Sequence, residues 1–323
     1  MRTRRPRESE ARAVAGPPLD LRPVVQAGLR GLIQMIKERW DRPVFLALAS
    51  ASLVALGLLV FFIFREAAPV LREIGLLSFL GPHWNPTGDP ASFGALPMIA
   101  GSAMVTFAAL GLAVPLGYGA AVFIAEVAPG WLKDVAKSAL ELLAGIPSVI
   151  YGFFGLMVVA PFFQRAFGLS TGRTALTASV ILGIMALPTV ASLAEDALTA
   201  VPNSYREASM ALGATRWQTI RRVTFPAAFS GLIGAAILGM GRAIGETMAV
   251  LMVAGNAPQL TASFLKPVRT LTGTIALEMA ETPFGGTHYH ALFALGALLL
   301  LTTLVTNGLA EWLRGRLARK HGR

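Results

Sequence analysis

The chain has no cysteine, four histidines, and only 14% charged residues in a length of 323. A soluble domain usually carries about 25% charge. Without cysteine, neither a disulfide framework nor a thiolate metal site can be built. No G-x-x-x-x-G-K-[ST] string occurs, so the phosphate loop of a nucleotide hydrolase is missing from this chain. Paired carboxylates for hydrolysis, a nucleophile beside a base and a cluster of metal ligands are missing as well. Nothing supports chemistry on a substrate, and the chain reads as a non-enzyme. The histidines His83, His288, His290 and His321 fall outside the long apolar runs. The pair His288 and His290 reads as interfacial and not as a metal site.

What is abundant is apolar sequence, 54% of all residues. A bilayer needs about 17–25 apolar residues per helical crossing. Six runs meet that length, near 44–64, 97–124, 139–163, 175–198, 225–254 and 289–313. The fold class expected is therefore an all-α membrane protein with six transmembrane helices. The formal charge of +10 raises the question of nucleic acid, and the position of the cations answers it. Of the 28 Lys and Arg residues, 21 fall in the two ends and the loops near 125–138 and 199–224. Six fall in the opposite loops near 65–96, 164–174 and 255–288. Lys and Arg accumulate on the cytoplasmic side, so both termini are expected there. The excess charge describes topology, and no nucleic-acid partner is expected.

Residues 1–20 read as a disordered basic tail. Over 21–43, Val25, Leu29, Leu32, Ile33, Ile36 and Trp40 share one helical face. That pattern predicts an amphipathic helix lying in the membrane surface; its alternative is an extension of the first span. The six-span domain then covers 44–313, and 314–323 is a basic cytoplasmic tail. Breakers interrupt several spans: Pro115, Gly145-Ile146-Pro147, Pro188, and Gly239 with Gly241. Backbone groups freed by such breaks need partners in lipid, so these spans are expected in the bundle interior. The outer stretch 255–288 is expected to hold a short lid or docking helix near Leu271–Met279. The loop at 65–96 is placed to help receive an external partner.

The loop at 199–224 is unlike an ordinary connection. Ser204 with Glu207, and Thr215 with Gln218, both have the spacing of a capping box. Gly213 stands where a left-handed cap would stop a helix. The pattern predicts a helix from about Tyr205 to Leu212, a sharp turn, then a second helix entering the fifth span, bent near Pro226. Arg216, Arg221 and Arg222 would suit a DNA-reading helix-turn-helix, but a short loop between two membrane spans argues against it. A rigid cytoplasmic projection suits a lever driven by a soluble motor.

The fifth span carries Gly241-Arg242-Ala243-Ile244-Gly245-Glu246-Thr247. A charge near the bilayer centre costs about 2.5–3.5 kcal/mol on insertion scales. Arg242 and Glu246 are four apart, so on a continuous helix each partly neutralises the other. A guanidinium also presents a planar fork to the oxygens of phosphate or carboxylate. Arg242, Glu246 and Thr247 are therefore candidates for an anion pathway, with an ion pair to a neighbouring span as the structural alternative. Glu195 and Asp196 read as solvated or paired with loop cations. Glu126 and Glu141 are assigned no role.

The string Glu207-Ala208-Ser209, with Gly213 and Pro226, resembles the E-A-A-x3-G-x9-I-x-L-P signature of bacterial ABC-importer permeases, with Ser209, Val223 and Phe225 replacing Ala, Ile and Leu. Further strings extend the resemblance from about Phe64 to the end: Glu126-Val-Ala-Pro-Gly-Trp-Leu-Lys133, Glu141-Leu-Leu-Ala-Gly-Ile-Pro-Ser148, Tyr151-Gly152, and Gly241 through Ala249 with Ala254-Gly-Asn256. These are similar to the C-type permease subunit of phosphate-specific importers. Sulfate and molybdate permeases resemble it around Arg242 to Glu246 but usually have an aromatic after the Glu. The resemblance implies a second, A-type permease subunit, two ATP-binding subunits that hold ATP and Mg, and an extracytoplasmic phosphate-binding protein, all in the bacterial inner membrane system. It implies no cofactor in this chain. The family's transmembrane Arg and Glu carry over onto Arg242 and Glu246, and its ATPase-contacting segment onto 204–217. Ser204, Arg206, Glu207, Ala208, Met210, Gly213 and Arg216 are its candidate coupling residues. Residues 1–43 lie outside the resemblance. Alternatives kept open are a sulfate or molybdate permease and a non-conducting membrane sensor or scaffold.

Overall fold

The computed structural model describes the backbone of residues 22–321. The chain divides into a first unit ending at Phe61 and a second from Phe62 onward. Helix α1, Arg22–Glu73, runs through the division. The expected surface helix over 21–43 and the first span are thus one element of 52 residues with no break at residue 43. The expected tail at 1–20 lies outside the described residues.

The described part of the second unit is mostly helical, with one short hairpin and an irregular stretch over 254–270. After α1 come α2 (Leu76–Phe79), the antiparallel pair β1 (Trp84–Asn85) and β2 (Ser92–Phe93), and α3 (Leu96–Val122), which ends in a π turn at Phe123–Val127. Helix α4 (Gly130–Gly145) is followed by α5 (Ser148–Phe154), a π turn at Gly155–Val159 and α6 (Ala160–Phe167). Then come α7 (Ala175–Thr199), α8 (Asn203–Ala211), α9 (Arg216–Thr219), a π turn at Ile220–Thr224, α10 (Phe225–Ala227), α11 (Phe229–Gly245) and α12 (Met248–Val253). Helices α13 (Leu271–Glu278) and α14 (Thr287–His321) complete the chain.

Among the described residues five stretches are long and apolar enough to cross a bilayer: Pro43–Glu73, Leu96–Val127, Ser148–Phe167, Ala175–Thr199 and Thr287–Leu309. Arg216–Ala227 and Phe229–Gly245, bent by 69° against each other, make a sixth when the pair is taken as one span. The bend falls two residues after Pro226. The expectation of a bent entry into span five is met.

The third span also differs from its expected bounds. Pro147 forces the preceding residue out of helical geometry, and Ile146 is extended with ψ 128°. The apolar run near 139–163 is therefore split between α4 and α5. Helix α7 forms the centre, with most of its inward residues buried, among them Ile181, Leu182, Met185, Pro188 and Val190. It packs on α3 along its length and on α11. One core joins α3, α5, α7 and α12 through Val105, Tyr151, Ile181, Met185 and Val253. A second lies under the hairpin, with Phe79, Trp84, Phe93, Met98, Leu271 and Leu292. A third, around Ala194, Leu198, Leu232 and Ala235, underlies the lever segment.

The stretch 255–288 is more than a surface lid. Ala175 and Leu176 donate backbone bonds to Lys266 and Phe264, and Val268 donates to Ala254. Leu271, Thr272, Gly273 and Thr274 of α13 are buried. The expected helix near 271–279 exists, but its first turn is driven into the bundle. There the Thr272 hydroxyl donates to the carbonyl of Glu246 at 3.0 Å.

Candidate functional site

The candidate residues fall in two regions, the expected lever at 204–217 and the breaks around Arg242. In the lever, Thr215 and Gln218 form the expected capping box, each side chain bonding the other's backbone N–H. Gly213 has φ +83°, the left-handed turn that glycine adopts without a Cβ penalty. The Ser204–Glu207 box does not form. Helix α8 begins two residues earlier than expected, after Pro202, and places Ser204 inside its first turn with no capping bond.

Arg206 is the larger correction. Its side chain is 15% exposed and points back into the bundle. Nε and Nη2 donate to Oε1 of Glu126 at 3.0 and 2.7 Å. Nη2 also reaches the Leu198 carbonyl at 2.8 Å, and Nη1 reaches Val201 O at 2.6 Å and Asn203 Oδ1 at 3.2 Å. A guanidinium has five N–H donors, and these contacts occupy all of them. Arg206 therefore fastens α8 to the end of α7 and to the π turn after α3, and Glu126, assigned no role from sequence, is its partner. Ser209, the departure from Ala in the signature, shares a hydrogen bond with Thr219 at 3.0 Å and joins α8 to α9.

The outward face of the lever is different. Ser204, Glu207, Ala208, Met210, Gly213 and Arg216 are exposed. Tyr205, Met210, Leu212 and Trp217 expose large apolar surface there, Leu212 at 90%. An exposed apolar patch rimmed by charge marks an interaction surface.

At the second region, α11 stops at Gly245 and Glu246 is extended, with ψ 128°. Arg242 and Glu246 therefore do not share one helical face, and among the described residues no carboxylate pairs with Arg242. The Glu246 carboxylate instead accepts from the N–H of Ala249 at 3.1 Å, in the first turn of α12. An acid at a helix start satisfies a free donor and suits the dipole. Thr247 bonds the carbonyl of Gly245. Arg242 lies exposed, with Nη2 3.4 Å from Ala144 O and Nη1 3.5 Å from the Thr189 hydroxyl. Ala144 is in the last turn of α4, where carbonyls lack helical partners and a cation is favoured. The neighbouring Leu143 carbonyl is taken by the Tyr151 hydroxyl at 2.8 Å. The breaks after Gly145 and Gly245 thus meet at one guanidinium. Sequence marked the break at Gly145-Ile146-Pro147 but not the one after Gly245, and nothing in residue spacing links Ala144 to Arg242.

Farther out, Glu278 accepts from Trp84 Nε1, pairs with Arg269, and lies 2.8 Å from His288 Nε2. Arg269 also donates to the Asn256 carbonyl. His290 Nδ1 is 2.8 Å from the Glu66 carbonyl. The two histidines are structural tethers, and among the described residues no group of His, Asp or Glu could hold a metal ion.

Residues 113–319 match the family of binding-protein-dependent transport system inner membrane components. A probable ABC transporter permease protein of Bacillus subtilis is 44% identical, over 72% of this chain and 76% of its own. The phosphate transport system permease protein PstC of Mesorhizobium japonicum is 36% identical over 85% and 89%. In fold, the chain is similar to a subunit of a bacterial alginate ABC transporter (TM-score 0.61, 16% identity, 88% of this chain and 97% of that one). It is likewise similar to a subunit of the inward-facing MetNI methionine transporter (TM-score 0.54, 21% identity, 69% and 95%). With its apolar helices, its lever and this match over most of its length, the chain is a multi-pass membrane protein and belongs to the family of inner membrane permease components of binding-protein-dependent transport systems.

Proposed function

We propose that this chain is a permease subunit of an ATP-driven importer of inorganic phosphate. It works with a second, A-type permease subunit, two ATPase subunits that bind ATP and Mg, and an external binding protein that delivers the anion. Both termini and the lever face the cytoplasm. The exposed face of α8, with Glu207, Ala208, Met210 and the adjoining Gly213 and Arg216, docks on an ATPase subunit. Closure of the ATPase pair moves the lever, and the bundle alternates between outward and inward states. Phosphate passes Arg242, which offers a fork of donors at the breaks of two spans, with Glu246 and Thr247 beside it.

The observation that carries this reading is that exposed guanidinium, unpaired by any described carboxylate, in a chain whose relatives include phosphate transport permeases. The test is uptake of labelled phosphate into proteoliposomes holding the full complex. Uptake should require ATP and resist excess unlabelled sulfate. Arg242→Ala should lower it by about tenfold or more, the scale of a lost charge-assisted contact, with assembly intact. Strong inhibition by sulfate would assign a different anion. An assembled complex that moves no anion would make the chain a sensor or scaffold.

A further inference from the structure

The π turn at Glu126, to which Arg206 fastens the lever, precedes α4, and Arg242 meets the far end of that helix. Helix α4 has 16 residues, about 24 Å at 1.5 Å per residue. Its first turns are pinned to α7: Lys133 Nζ is 3.1 Å from Glu195 Oε1, and Lys137 Nζ is 2.9 Å from Glu195 Oε2 and 3.1 Å from Asp196. Glu195 is 2% exposed and also accepts from the Thr199 hydroxyl at 2.9 Å. One turn farther along, the same end of α7 offers the Leu198 carbonyl to Arg206 of the lever. At the other end of α4, Ala144 O receives Arg242. A chain of contacts therefore runs from the lever to α7 through Arg206, from α7 to α4 through Glu195, and from the end of α4 to Arg242.

Resting on the importer reading above, we propose that α4 is the strut that carries lever movement to Arg242, with Lys133, Lys137 and Glu195 as positioning residues at its inner joint. Burying Glu195 demands compensation, because an unpaired buried carboxylate is costly. Two lysines on successive turns of one helix supply it and tie α4 to α7 at that joint. Glu141 of α4 stands one turn before Ala144 and is exposed, and among the described residues no ion pair joins it to Arg242, so the strut meets the guanidinium through the Ala144 carbonyl.

The test uses the complete complex and the absence of native cysteine from this chain. A single Ser148→Cys, at the break beside Ala144, reports local access through its maleimide labelling rate. That rate should differ about fivefold or more between the nucleotide-free complex and one trapped with ATP and vanadate, a change on the scale of ordinary inter-site coupling. K133R/K137R should keep the difference. K133Q/K137Q should lose it while still hydrolysing ATP, and phosphate imported per ATP should fall about tenfold. Persistence of the difference in K133Q/K137Q, its absence from the parent, or equal loss with arginine and glutamine would overturn the strut. Should K133Q/K137Q not assemble, K137Q alone is read: a reduced difference supports the strut, and an unchanged one overturns it. Phosphate uptake by the parent complex tests the importer reading separately, since the labelling change needs no phosphate.

Discussion

Arg206 carries a charge that sequence reasoning assigned to a partner protein and that the fold keeps for itself. Removing one member of a buried ion pair costs about 3–5 kcal/mol. Arg206→Ala should therefore lower the thermal unfolding midpoint of the purified permease, whereas Arg216→Ala, on the exposed face, should leave it unchanged. Arg206→Lys should recover only part of the loss, since one ammonium cannot fork across Glu126 and two carbonyls. Equal midpoints for the Ala and Lys variants would contradict the five-donor geometry. Lys137 offers a pH test. Its hydrogen bond to Glu195, then that to Asp196, pushes its pKa from 10.5 up to about 12. The contribution of the charged form is whole below 10.5 and is lost as pH rises through about 12. Phosphate imported per ATP should thus be flat between about pH 6 and 9 as far as this joint is concerned. Arg242 was visible in the sequence as a cation inside an apolar run. Its partners were not, because a backbone carbonyl and a threonine hydroxyl carry no pattern of their own. Glu126 was missed for a related reason: its partner is 80 residues away.

Helix ends show how far local rules reach. Pro147 and Gly213 act through their own backbone, the Thr215–Gln218 box starts a helix through two side chains three residues apart, and each was readable from a few neighbours. Glu246 was misread because four-residue spacing presumes a continuous helix, and Gly245 ends that helix. The burial of α13 was also out of reach, since it depends on room left by a distant element. Gly101 of α3 provides that room. A Cβ there would stand 2.3 Å from the Arg269 carbonyl oxygen and 3.2 Å from its carbon. Gly101→Ala must shift backbone, at about 1–3 kcal/mol, and should loosen the 255–288 stretch. Hydrogen exchange across residues 268–274 should rise in that variant. Gly213→Ala meets nothing within 4 Å but keeps φ +83°, so about 1–2 kcal/mol of backbone strain is expected. That strain should appear as faster exchange in 208–216, with 268–274 unaffected.

For the molecule as a whole, hydropathy marked the apolar helices, because the bilayer imposes their length on any sequence, and the distribution of Lys and Arg predicts their sense. Labelling can check the sense. Phe284→Cys, at a site 87% exposed, should react with an impermeant maleimide added to intact cells. Leu212→Cys, 90% exposed, should react only after the membrane is opened. The reverse pattern would invert the topology. The order of helices in space was less accessible, since α4 and α5 read as one apolar run although the chain turns between them. The weak tethers of Arg242 have a consequence for turnover. A cation locked to a fixed acid would force every arriving oxyanion to evict a rival of equal charge, then be evicted in turn. Held by a carbonyl and a hydroxyl at 3.4 and 3.5 Å, it can trade a loose grip for a firm one and back again. Such a waypoint is shallow enough to be left as easily as it is entered.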